Sequence, residues 1–233
     1  MATESSASMT QAEKVTLADE LLTQAYGIRD IVARRDAMHE LISTILSHRT
    51  THANEETAYW AMRQRFVSWD EIRNAPLSDL EDAIKTSNYA EIKAPWIQKI
   101  LTSIIAERGE ANIDFLRDWP ADQAMAWLMK LPGVGLKTAT LLLLFNFQKP
   151  VLPVDTHVHR VTLRLGVLSP KTSAEKAHAV LLAMLPREAK TLYNFHKHFY
   201  WHGQRVCFWS LPKCSQCILR DLCDYYHGTG PRL

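Results

Sequence analysis

The chain is expected to fold from helices alone, on three observations. Its 233 residues carry only 8 glycines, about half of average usage. No turn dipeptide lies between alternating apolar residues. Apolar side chains instead recur at helical spacing: Leu21, Leu22, Ala25 and Tyr26; Met38, Leu41, Ile42 and Ile45; Ile97, Ile100, Leu101 and Ile104. About ten helices fit the chain. A hydrophobic content of 47% is ample for one or two buried cores. The strongest apolar run, Ala139 to Phe147, is about half of a membrane span, so no membrane partner is expected. Net charge is only +2, and any nucleic-acid binding must therefore come from local placement of basic groups.

In chain order, residues 1–14 are rich in Ser, Thr and Ala and are expected to be disordered. Ser68 with Glu71, and Ser78 with Glu81 after Pro76, read as helix-start capping patterns. A helix from Ala121 to Lys130 precedes Leu131-Pro132-Gly133-Val134-Gly135, and a second helix runs from Leu136 to Phe147. The Pro and two Gly permit a tight reversal with outward amides at a helix start, a nest for a phosphate that needs no particular base. An ordinary helix–turn–helix corner would use the same residues. Lys137 sits in the first turn of the second helix, where the helix dipole disfavours a cation. An inward-facing lysine there, partly desolvated, would have its pKa pulled down towards a nucleophilic amine.

Asp155 follows Pro153-Val154 and precedes a helical pattern, as an N-cap does. His157 and His159 flank it. Further on, His198 and His202 stand at i, i+4, a spacing that zinc accepts, although Phe195, Phe199 and Trp201 make packing a sufficient explanation. The four cysteines of the chain are Cys207, Cys214, Cys217 and Cys223, a C-x6-C-x2-C-x5-C array. Such clustering points to a metal centre, since packing cysteines would be scattered. Zinc and [4Fe–4S] both accept four thiolates. Zinc ribbons usually have two close pairs and only Cys214 and Cys217 form one, while disulfides would need an oxidising compartment that the polar start does not suggest. The tail, 228–233, is expected to be flexible.

The cysteine spacing, the Leu131–Ala139 hairpin with Lys137, and Val154-Asp155-Thr156-His157 together resemble the endonuclease III family of helix-hairpin-helix DNA glycosylases. The order of landmarks agrees from about Ile31 to Cys223, including Leu46-Ser47 before Arg49-Thr50 and His202-Gly203 before Cys207. The resemblance implies an all-α fold of two helical domains, 33–149 carrying the hairpin and 15–32 with 150–227 carrying a [4Fe–4S] cluster on the four cysteines, with a cleft between them. It further implies a monomeric, cytoplasmic, nucleoid-associated base-excision repair enzyme acting on double-stranded DNA with a damaged base, an oxidised pyrimidine in particular, or an abasic site. Lys137 would be the Schiff-base nucleophile and Asp155 its partner carboxylate. Arg49, Asn88, Tyr89, Gly133, Val134, Gly135, His157 and Lys213 would contact DNA. A related branch that removes adenine has a non-nucleophilic residue where Lys137 stands.

Some positions depart from the family. Arg49 replaces a usual glutamine, and Ser87–Lys93 replaces a leucine-bearing wedge loop, leaving Asn88 or Tyr89 as the wedge. The loop 208–213 has the single lysine Lys213 where relatives are basic. A monofunctional glycosylase, a non-catalytic DNA-binding module and a zinc-stabilised interaction protein are the alternatives.

Overall fold

The computed structural model describes residues 9–230. Every regular element among them is helical: eleven α-helices and four single turns of 3-10 helix. The chain divides into two compact units, Val32–Lys149 and the two flanking stretches taken together.

The Val32–Lys149 unit holds α2 (Ala37–Leu46), α3 (His52–Arg65), α4 (Trp69–Asn74), α5 (Leu77–Ile84), α6 (Ala90–Arg108), α7 (Ala121–Leu128) and α8 (Leu136–Phe147). Asp36 starts α2 by accepting from the His39 amide at 2.8 Å, and Met38, Leu41, Ile42 and Ile45 are buried as the periodicity requires. Ile97, Ile100, Leu101 and Ile104 of α6 are completely buried. Their stripe continues back to Lys93, also buried. α8 is apolar nearly all round, with Ala139, Leu142, Leu143, Leu144 and Phe147 buried, and packs against α2 and α7 as the centre of this unit. No helix among the described residues is long and apolar enough to cross a membrane.

The second unit holds α1 (Gln11–Tyr26), α9 (Thr156–Leu165), α10 (Ala174–Leu182) and α11 (Ala189–Arg205). α11 packs against both α1 and α9. At Gly203 the approach is close enough that a Cβ would lie 2.7 Å from the Cβ of His157. The cysteine segment follows α11 and contains only the 3-10 turns Cys214–Gln216 and Arg220–Leu222.

Four expectations change. Residues 11–14 are not part of a disordered extension: Thr10 and Glu13 form a reciprocal capping box, so α1 starts at Gln11, while residues 1–8 lie outside the described residues. The buried face of α1 is Val15, Ala18 and Leu22 rather than Leu21 to Tyr26, and Ala25 is exposed. Ser78 caps nothing, because Pro76 occupies the N-cap and its carbonyl takes the Asp79 and Leu80 amides, placing Ser78 inside α5. Residues 228–230 are tied back by the Thr229 and Gly230 amides, which both donate to Asp224 O at 2.9 Å; 231–233 lie outside the described residues. Ser68 does cap α4, accepting from the Glu71 amide at 3.1 Å.

Candidate functional site

The turn between α7 and α8 is shaped by Gly133. Its φ is +76°, and an added Cβ would sit 2.5 Å from Cε3 of Trp96. Val134 and Leu131 are buried on the inner side and joined by the Val134 amide donating to Leu131 O at 3.1 Å. Gly135 is the N-cap of α8, so no side chain caps the first amides, and no acidic residue stands in the first turn. An exposed, uncapped helix start of this kind attracts an anion. Lys137 lies here and is exposed; the burial expected for it is absent.

His48 lines the same end of α8, its Nε2 3.5 Å from Thr138 Oγ1 and its ring edge-on to Trp96 at 6.5 Å. Burial, then the charges of Lys137 and Lys93, hold its pKa below the ordinary histidine value, so the ring stays neutral at neutral pH.

Arg49, Asn88 and Tyr89 come together at a junction of two loops in the same unit. All three have left-handed backbones, with φ of 54°, 59° and 52°. Such a conformation costs roughly 1–2 kcal/mol per L-residue and persists only where surrounding structure enforces it. The enforcing contacts are visible. Asn88 Nδ2 donates to Arg49 O at 3.2 Å and approaches Thr50 Oγ1 at 3.5 Å, and the Arg49 guanidinium lies 5.7 Å from the Tyr89 ring centre. Beneath them Lys93, 2% exposed, donates to Leu46 O at 2.7 Å and to Ser87 O. Burial brings the Lys93 ammonium down to about 8. Asn88 is thus spent on holding the loops, whereas the Tyr89 side chain is 45% exposed.

In the other unit Asp155 is buried at the N-cap of α9, where Oδ1 accepts from the His157 amide at 2.9 Å and the Val158 amide at 2.8 Å. Both bonds fall on one oxygen, so Oδ2 is not committed to the cap. Arg160 Nη2 lies 3.0 Å from His157 Nδ1. An arginine can only donate, which makes Nδ1 the acceptor and puts the proton of a neutral His157 on Nε2. Arg160 also donates to Gly203 O at 2.8 Å and Cys207 O at 2.9 Å. One turn on, the buried Arg164 donates to Phe208 O at 2.6 Å, Trp209 O at 2.8 Å and Cys207 Sγ at 3.3 Å. Two arginines of α9 therefore hold the start of the cysteine loop.

Cys207, Cys214, Cys217 and Cys223 line one cavity together with Arg164, Tyr225 and Tyr226, and all four are free thiols. Burial pushes the Cys217 thiol up to about 11 and raises Cys223 as well. His202 Nε2 lies 3.3 Å from Cys217 Sγ. No group of three or more Cys, His, Asp or Glu among the described residues is gathered tightly enough for a single metal ion. Thiolates on one zinc, at about 2.3 Å, would stand within ~4 Å of one another. The four sulfurs surround one shared cavity, with Arg164 donating to Cys207 Sγ and His202 beside Cys217 Sγ. Lys213, exposed, lies with its ammonium 5.3 Å from the Phe208 ring centre. The clustered histidines do not converge on a second metal: His196 Nδ1 pairs with Pro153 O, His198 Nε2 with Gly27 O, and His202 faces Cys217. His159 Nε2 is taken by Thr172 O at 2.8 Å.

Sequence reasoning missed His48, Lys93, Arg160 and Arg164. A signal existed for three of them: Lys93 extends the Ile97–Ile100–Ile104 stripe, and Arg160 and Arg164 recur one turn apart beside Val161 and Leu165, where a surface charge is out of place.

Residues 42–187 match the model of the HhH-GPD superfamily of base excision DNA repair proteins. The chain is 35% identical over 209 residues to endonuclease III of Thermotoga maritima, covering 87% of this chain and 92% of that one. Among solved structures it resembles a non-covalent endonuclease III–DNA complex, with a TM-score of 0.80 at 25% identity, covering 93% of this chain and 97% of that one. A trapped covalent endonuclease III–DNA intermediate matches with the same TM-score, identity and coverage.

Gly133→Ala is expected to lower unfolding free energy by ~2–4 kcal/mol, combining a left-handed backbone with a clash on Trp96, as read by denaturant melts. Lys93 holds its proton less tightly folded, at about 8, than at the ordinary lysine value of 10.5. Its charge therefore costs stability fully below pH 8, and the cost is relieved as pH rises to 10.5. Across that window the stability of the wild type relative to Lys93→Met should rise by roughly 2–3 kcal/mol.

Proposed function

For a chain that belongs to the endonuclease III family, within the HhH-GPD superfamily of base excision DNA repair proteins, we propose a bifunctional reaction: removal of a damaged base from duplex DNA and cleavage of the abasic site through a Lys137 Schiff base. The observation that carries this reading is an exposed lysine amine in the first turn of an uncapped helix, beside the neutral His48.

A base inside a duplex hides C1′, so the nucleotide is first extruded at a cost of a few kcal/mol, least where the base is damaged or mispaired. The nest of amides from Gly133, Val134 and Gly135 into α8 takes a backbone phosphate. Arg49 fills the vacated stack and Tyr89 acts as the wedge. The neutral Lys137 amine attacks C1′; the new N–C1′ bond replaces the glycosidic bond, whose electrons leave with the base. Oδ2 of Asp155, the oxygen not used in capping, stabilises the positive charge that develops on the sugar and accepts the amine proton. The C1′–O4′ bond then breaks, O4′ taking the proton that Asp155 holds, to give the ring-opened iminium; loss of its C2′ proton to solvent expels the 3′ phosphate, and water then releases Lys137. His157 and Lys213 add further contacts to the DNA backbone.

Cys207, Cys214, Cys217 and Cys223 would hold a [4Fe–4S] cluster, with Arg164 and His202 donating to its sulfur ligands. Bound there, the cluster supplies cross-linking of the loop rather than electron transfer to the reaction. An oxidised pyrimidine is the proposed lesion, and a monomer in a nucleoid-associated, cytoplasmic setting the proposed form.

Borohydride reduction of the protein on duplexes with an abasic site or an oxidised pyrimidine should yield a covalent protein–DNA band that Lys137→Ala abolishes. A wild-type protein that binds these duplexes and gives no band on any of them sinks the lyase reading. The purified protein should be brown with visible absorption, and Cys217→Ser should lose both colour and iron; a colourless, zinc-bearing protein overturns the cofactor assignment.

A further inference from the structure

We propose that Lys93 is a positioning residue for DNA interrogation: from beneath, it holds the Arg49 and Ser87–Tyr89 loops in the shape that opens the duplex. The proposal rests on the reaction proposed above.

Lys93 is 2% exposed, yet its ammonium makes no ion pair; its partners are two carbonyls, Leu46 O at the end of α2 and Ser87 O in the neighbouring loop. A lone buried cation is costly, and a methionine of similar length would fill the space without that cost. What methionine cannot do is tie two chain segments together. Those segments carry three of the five left-handed non-glycine residues among the described residues, Arg49, Asn88 and Tyr89. Arg49 and Tyr89 bear a long and an aromatic side chain where glycine would be unstrained, so the backbone is held in a disfavoured shape that presents those two side chains. On the surface Asn88 makes the second tie, to Arg49 O. The two ties fix the same pair of loops from opposite sides. Without them the loops would relax, and Tyr89 and Arg49 would no longer enter the stack together.

This role separates two steps. A paired damaged base must be forced out, whereas a preformed abasic site has already lost its base stacking and needs less forcing. Lys93→Met is therefore expected to slow single-turnover base excision by about tenfold or more while borohydride trapping on an abasic duplex changes by under about threefold. In a Lys137→Ala background, 2-aminopurine opposite the lesion should brighten on binding, and adding Lys93→Met should remove the brightening. Asn88→Ala, at a surface position, should reproduce the selective loss at about three- to tenfold even if Lys93→Met fails to fold. Equal losses of excision and trapping in Asn88→Ala and in a folded Lys93→Met overturn the proposal. So does unchanged excision, or trapping that falls with an alkaline-shifted pH profile, which would assign Lys93 to tuning of the nucleophile. Absence of any wild-type covalent band is a different failure, that of the reaction itself.

Discussion

The loops this chain presents depend on buried side-chain donors placed under backbone carbonyls left unpaired at helix ends and in the loops that follow or precede them. A helix end exposes carbonyls with no partner, and burying them uncompensated costs on the order of 1–3 kcal/mol each. Lys93 answers Leu46 O and Ser87 O. Arg160 answers Gly203 O and Cys207 O, and Arg164 answers Phe208 O and Trp209 O. His196 and His198 do the same for Pro153 O and Gly27 O. These donors set loop geometry because the direction of each bond is fixed at both ends.

Two helix starts use the same physics in opposite ways. Asp155 fills the N-cap of α9 with its own carboxylate, which the His157 and Val158 amides hold in place. α8 begins with Gly135 and leaves its amides to an incoming anion, while Lys137 stands where the dipole disfavours its charge. A start that accepts an anion and leaves a lysine exposed beside it suits contact with a phosphate backbone. The neutral His48 places no second cation at that helix end to compete for the anion.

Sequence reading went furthest where local chemistry decides structure. The apolar faces of α2 and α6, the Asp155 cap, the Ser68 cap and the hairpin glycines each follow from interactions within about four residues. It failed where partners are distant. Lys93 lies on the buried stripe of α6, but its partner Leu46 O is 47 positions earlier and no local pattern names it. α1 was assigned a wrong face because Leu21 and Ala25 fit a helical stripe as well as Val15 and Ala18 do, and only packing on α11 chooses between them. Ser78 lost its capping role to the carbonyl of Pro76 one turn boundary away. The desolvation expected for Lys137 was an inference from chemistry, not from any residue around it, and the side chain is exposed.

The cysteine segment marks the limit of what helix packing can do. From Cys207 to Cys223 it contains two 3-10 turns and no α-helix, and Leu219 is its one apolar side chain counted as buried. Trp209 and Leu211 face outward at 59% and 91% exposure, and Leu211 has a left-handed φ of 52°. Hydrophobic burial on that scale does not offset the conformational entropy of seventeen ordered residues, which is of the order of 1 kcal/mol each or more. The thiols make matters worse while protonated, since Cys217 and Cys223 are held neutral by burial and neutral thiols are weak hydrogen-bonding groups. The iron–sulfur group proposed for this site would reverse that balance, because it would convert the four half-buried thiols into ligands and close the loop at four points. The two arginines of α9 then reach from that loop back to the helix that begins with Asp155. In this arrangement the cysteines order a segment that hydrophobic burial would leave loose, and that order reaches Arg160 and His157 through bonds already present in the protein.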